Sequence, residues 1–112
     1  MRRMLVLASL VSVAAAVLAA ASQAAVPVYR GTVGPGFTIT LAKKPTKAGK
    51  VKIVVADRSS SHDFHLTGPG VNVTTSVGGT GTKTFTVTLK KGTYRYVCDP
   101  HASFMRGSFT IR

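Results

Sequence analysis

A chain of 112 residues with 15 Lys or Arg, three Asp and no Glu has room for one domain, and its single cysteine rules out an internal disulfide. The formal charge of +12 favours acidic partners or anionic surfaces, but no recognised nucleic-acid module accompanies it, which argues against nucleic acid.

Residues 1–24 read as a signal peptide. Met1-Arg2-Arg3 is a basic start, Met4 to Ala21 an alanine-rich apolar stretch, and Ser22-Gln23-Ala24 places small residues where a signal peptidase cuts, predicting cleavage after Ala24. Retention as an uncleaved anchor is the alternative, because the apolar stretch approaches the roughly 20 residues needed to span a bilayer. Export to a periplasm, to the cell surface or to the outside follows, leaving one domain at 25–112. Thirteen Lys or Arg against Asp57, Asp63 and Asp99 keep that domain strongly basic.

Short apolar runs with a period of two then follow one another. They are Val26 to Val33, Phe37 to Leu41, Val51 to Ala56, His62 to Leu66, Val71 to Val73, Thr84 to Leu89, Tyr94 to Cys98 and Gly107 to Ile111. Gly34-Pro35-Gly36, Gly68-Pro69-Gly70, Gly78 to Gly81 and Lys91-Gly92 separate them. No internal repeat appears, and no amphipathic helix follows the leader. The pattern predicts an all-β antiparallel Greek-key sandwich of about seven strands. Tyr94 and Tyr96 read as structural, one of them as a corner tyrosine whose hydroxyl bonds backbone.

The chemistry gathers at the end of the chain. Alternation places His62, Phe64 and Leu66 on the inner face and sends Asp63 and His65 outward. Tyr94, Tyr96 and Cys98 face inward by the same rule, so His62 and Cys98 can meet at one end of the sandwich. The turn Asp99-Pro100 returns His101 to that point, and Met105 can approach from a third side. Two imidazoles and a thiolate with a long axial thioether make a blue-copper electron-transfer site. Each residue also has a plainer use: Cys98 and Met105 as apolar filling, His62 as a core histidine, His101 as an exposed loop histidine. His65, on the other face, reads as a surface residue.

Ser61-His62-Asp63-Phe64, Lys91-Gly92-Thr93-Tyr94 and Tyr96-Val97-Cys98-Asp99-Pro100-His101 with Met105 resemble the cupredoxins, the small blue copper proteins of the plastocyanin, pseudoazurin and amicyanin group. The likeness covers most of 25–112. It implies one copper ion per chain, with His62, Cys98 and His101 as equatorial ligands and Met105 as the axial one. Two features depart from the family. Three residues separate His101 from Met105, where relatives have four or two, and Asp63 stands where an asparagine usually braces the two ligand loops.

The implied function is one-electron transfer between redox partners by Cu(I)/Cu(II) cycling, with copper binding or delivery on the same fold as the alternative. An enzyme is not expected, since three histidines cannot build a second copper centre beside this site. A metal-free immunoglobulin-like module would usually carry a second cysteine and a core tryptophan, and both are missing. The expected partner is a redox protein with an acidic docking surface; association with an anionic cell surface is a further possibility, and a monomer is expected. His101 would be the electron port, within a rim formed by Phe104, Pro100, Ala102 and the turns 34–36 and 68–70.

Overall fold

The computed structural model describes residues 9–16 and 25–112. Residues 9–16 are exposed and lack regular structure. The rest of the leader and the cleavage point after Ala24 lie outside the described residues, among which no helix is long and apolar enough to cross a membrane.

Eight strands form two four-stranded sheets. The first sheet contains β1 (Val28–Val33), β2 (Ile39–Leu41), β3 (Gly49–Asp57) and β6 (Gly81–Leu89), in the order β2-β1-β3-β6. The second contains β4 (His65–Gly68), β5 (Val71–Thr74), β7 (Gly92–Val97) and β8 (Arg106–Ile111), in the order β5-β4-β7-β8. All neighbouring pairs run antiparallel except β1 with β3, which are parallel. The architecture is the expected all-β sandwich.

Alternation accounts for the core. Val51, Ile53 and Val55 of β3, Val87 and Leu89 of β6, Tyr94 and Tyr96 of β7, and Phe109 and Ile111 of β8 are buried between the sheets, two residues apart on each strand. Phe85, expected on the same face as Val87, is only partly buried at the middle of β6, whose first half is exposed. Two parallel ring stacks fill the centre. Phe64 lies 5.5 Å from Tyr96, and Tyr94 lies 5.1 Å from Phe109. Gly107 is paired with Tyr96 across β7 and β8, and a Cβ on it would overlap the tyrosine ring. That position is glycine because the aromatic occupies its space.

Tyr94 is the corner tyrosine. Its hydroxyl accepts the Lys90 N–H at 2.8 Å and can donate to the carbonyl of Pro69 at 3.1 Å or of Lys90 at 3.2 Å. These bonds tie the β6–β7 turn to the β4–β5 turn, and they place residues 68–70 at the end of the sandwich where β7 begins. Cys98, just past the other end of that six-residue strand, is roughly 20 Å away at about 3.3 Å per residue. The expectation that the 68–70 turn borders the site is therefore wrong, because the β4–β5 hairpin turns at the far end.

One run departs from its predicted conformation. Residues 62–66 were expected as a single strand, but β4 begins only at His65, and His62 to Phe64 form an irregular segment. Strand parity does not hold there: Asp63, expected to point outward, is buried beside His62 and Phe64.

Replacing Tyr94 with Phe removes the hydroxyl that accepts the Lys90 N–H in a part-buried contact. It is expected to cost about 0.5–1.5 kcal/mol in urea unfolding, the net worth of such a hydrogen bond; an unchanged midpoint would rule out the corner role.

Candidate metal centre

Two loops at the end of the sandwich opposite the 68–70 turn supply the donors. The first follows β3: Asp57 Oδ1 accepts the Ser59 N–H at 3.2 Å and Ser59 Oγ accepts the Ser61 N–H at 3.1 Å, turning the chain toward His62. Gly34, with φ of +71°, lies against this loop. A side chain there would come within 2.8 Å of Ser59 Cβ and 3.4 Å of the His62 ring. Phe64 and Thr75 then anchor the segment, the Phe64 N–H donating to Thr75 Oγ1 at 2.9 Å and the Thr75 N–H to the Phe64 carbonyl at 3.1 Å.

The second loop runs from Cys98 to Met105. The Cys98 N–H donates to the Met105 carbonyl at 3.0 Å, extending the β7–β8 ladder by one pair. Between them Asp99–His101 form a single 3-10 turn with Pro100 in its first turn. The His101 N–H donates to the Cys98 carbonyl at 3.0 Å, and the Met105 N–H to the His101 carbonyl at 2.9 Å.

The structure brings His62, Cys98 and His101 together. The two Nδ1 atoms are 3.1 Å apart, and Cys98 Sγ is 3.6 Å from that of His62 and 3.5 Å from that of His101. A triangle with these sides has a circumradius of about 2.0 Å, close to the roughly 2.0–2.3 Å that nitrogen and sulfur keep from a bound transition metal. Cys98 and His62 are buried, and His101 is partly exposed. Burial pushes the Cys98 thiol up, while the backbone N–H groups of Asp63 and His101 pull it down. A bound cation would remove its proton outright. Two imidazole nitrogens and one thiolate fit copper, for which soft sulfur and imidazole are the preferred donors. Met105 is fully buried where the loop rejoins β8, its backbone bonded to both Cys98 and His101.

Asp63 joins the loops. Its Oδ1 accepts the Asp99 N–H at 2.6 Å, so a carboxylate braces the segments next to His62 and Cys98; its Oδ2 lies 3.3 Å from the Thr74 hydroxyl, which can instead donate to the Thr75 carbonyl at 2.8 Å. Burial first, and then the nearby Asp99 carboxyl, raise its pKa above the ordinary aspartate value. Asp99 is shifted the other way, by its contacts with Asp63 and then with His65.

His65 stays on the outer face, as expected. Its Nδ1 lies 2.9–3.0 Å from both Asp99 oxygens and its Nε2 lies 2.6 Å from Asn72 Oδ1.

Phe37 is the residue that sequence reasoning missed. Alternation assigned it to a strand with Ile39 and Leu41, but β2 begins at Ile39 and Phe37 is 66% exposed. Its ring stands edge-on to His101 at 5.1 Å and to His62 at 5.4 Å, and lies 5.9 Å from Phe104. Phe104 in turn lies 5.6 Å from His101. In sequence, an aromatic after a Gly-Pro-Gly turn looks the same whether it caps a site or starts a strand.

Fold and site together define a small β-sandwich protein with a His-Cys-His cluster at one end that could hold a metal ion. Residues 26–112 match the copper binding proteins of the plastocyanin/azurin family, and the chain belongs to that family, a cupredoxin. A structure of reduced rusticyanin at 1.9 Å is 23% identical with a TM-score of 0.59, the match covering 76% of this chain and 78% of that one. An NMR structure of reduced rusticyanin is 25% identical with a TM-score of 0.54, covering 76% of each chain. Among curated proteins no relative matches.

The Asp99 carboxylate holds the His65 pKa above its ordinary value, against the opposing effect of burial and with a lesser contribution from Asn72. A histidine raised in this way stabilises the fold fully below its unfolded pKa of about 6.5, and the contribution is lost as pH rises through the higher folded value. His65→Gln is therefore expected to lower stability by about 0.2–1 kcal/mol near pH 5.5, the range of an accessible ion pair, and by less near pH 8.5. Denaturant unfolding at both pH values checks this; a difference independent of pH counts against the ion pair.

Proposed function

We propose that this cupredoxin is an exported, non-enzymatic electron carrier, in which His62, Cys98 and His101 hold one copper ion and Met105 is its axial ligand. The convergence of three donors from two separate loops on one point about 2.0 Å from each carries this reading. Copper held there would supply one-electron chemistry between Cu(I) and Cu(II). The chain supplies rigidity, shielding and a port. Cys98 continues a paired strand, and its loop is closed by the Met105 backbone, so the donors have little freedom to rearrange between oxidation states. Phe37 covers both imidazoles and limits water. His101 is the donor nearest the surface, and its edge is the route by which an electron leaves.

Copper delivery is the second reading, favoured by the same partial exposure of His101. Loading the purified protein with Cu(II) and recording visible and EPR spectra distinguishes the two. An intense blue band with a narrow hyperfine splitting, abolished in Cys98→Ser, is expected of the carrier. A pale tetragonal spectrum would favour delivery, and no uptake would remove both.

Asp63 adds a prediction about potential. A negative charge beside the donors favours the more positive, oxidised site. Asp63→Asn retains an oxygen for the Asp99 N–H while removing the charge, so its midpoint is expected to rise by on the order of tens of millivolts. Redox titration at neutral pH measures it, and an unchanged or lower midpoint refutes the argument.

A further inference from the structure

The basic charge of this domain is not evenly answered by acid. Each of its three carboxylates has a local contact: Asp57 Oδ1 accepts from Ser59 while its buried Oδ2 has no partner, Asp63 accepts from the Asp99 N–H, and Asp99 pairs with His65. That last contact is the one ion pair among the described residues. That pair lies beside Val97 on the β4 side of β7, and it includes neither Arg95 nor Arg106 on the outer face of β7 and β8. Register places Arg95 opposite Ser108 and Val97 opposite Arg106, so the two exposed arginines are diagonal neighbours on one face, roughly 7–8 Å apart across the two strands. Between them and the ligand loop lies an open groove of about 590 Å³, bordered also by Thr93, Ser108, Val97 and Ala102.

Three observations indicate what would fill it. Two guanidinium groups side by side repel each other unless an anion lies between them, and a planar guanidinium binds a carboxylate through two parallel N–H donors. The groove is far larger than one small oxyanion requires, given that a water molecule occupies about 30 Å³. Its position also matters, because Val97 precedes Cys98 and Ala102 follows His101. Whatever lies in the groove is one residue from two of the three donors.

We propose that this groove docks an acidic segment of a partner protein, with one carboxylate on Arg95 and another on Arg106 and the hydroxyls of Thr93 and Ser108 accommodating the backbone between them. That the partner is a redox protein rests on the proposed electron-carrier function; the groove and its charge do not. A segment held there would bring the partner's body over the His101 edge from the side.

The test uses the domain with Cu(I) bound and again without copper, followed through its backbone amide NMR shifts. The probes are a hexaglutamate peptide, a hexaglutamine peptide and inorganic phosphate. Hexaglutamate is expected to shift amides at 93–97 and 106–108, and hexaglutamine to leave them in place. Arg95→Gln with Arg106→Gln should weaken hexaglutamate binding about tenfold. Lys44→Gln with Lys47→Gln, an equal charge change on the exposed 43–48 connection, should weaken it less than about twofold. Shifts spread over the lysines without a groove signal would overturn the proposal. So would equal losses in the two double variants, or phosphate binding as tightly as hexaglutamate. The wild-type shift map decides the question even if a variant folds poorly. No electron transfer is read, so failure here is distinct from a failed blue-copper spectrum.

Discussion

The hydrogen bond from the Asp99 N–H to Asp63 Oδ1 is the constraint on which the metal centre depends. His62 and Cys98 are 36 residues apart, on segments that leave different sheets' strands, and neither is inside a regular element. A buried carboxylate accepting a backbone N–H is a strong tie, of about 1.5–3 kcal/mol, and its fixed length sets the separation of the flanking residues. The other oxygen lies 3.3 Å from the Thr74 hydroxyl at the end of β5, whose single proton has the Thr75 carbonyl as a nearer acceptor at 2.8 Å. Where relatives usually place a neutral amide, this chain has a carboxylate, and the same contact that positions the donors also brings charge to them.

Behind that brace, the sandwich supplies stiffness. The parallel stacks of Phe64 on Tyr96 and Tyr94 on Phe109 link the irregular upstream segment to β7 and β7 to β8. Phe64 is only two residues from His62, and Tyr96 only two from Cys98, so one ring contact ties together the approaches to both donors. Glycine at 107 lets a tyrosine ring lie flat where a side chain would hold it off. Close packing of this kind resists small displacements, so the approaches to His62 and Cys98 are held in place.

Charge is distributed with a similar division. Asp63 and Asp99 are engaged beside the donors, whereas the groove on the outer β7–β8 face is lined by two arginines and no carboxylate. A basic domain with two of its three acids buried and the third, Asp99, paired with His65 presents a mainly cationic exterior, which steers acidic molecules toward it and makes association sensitive to salt.

Much of the fold was legible from residue order, because a period of two in apolar residues is a direct consequence of the pleat. Val51 to Val55, Val87 with Leu89, and Tyr94 with Tyr96 all occupy the buried face that their spacing implies. The donor set was equally readable: a lone thiol, an imidazole three residues later and another upstream are unusual enough together to suggest a metal. Spacing could not show that His62 to Phe64 leaves strand geometry, that Asp63 turns inward, that Phe37 covers the imidazoles, or that the 68–70 turn lies at the opposite end. Each depends on contacts between residues distant in the chain, where a hydrogen bond or a ring contact outweighs local alternation. Chain order alone determined which side chains are available for chemistry; only the folded packing decided which of them meet, because meeting is set by long-range geometry that no local pattern encodes.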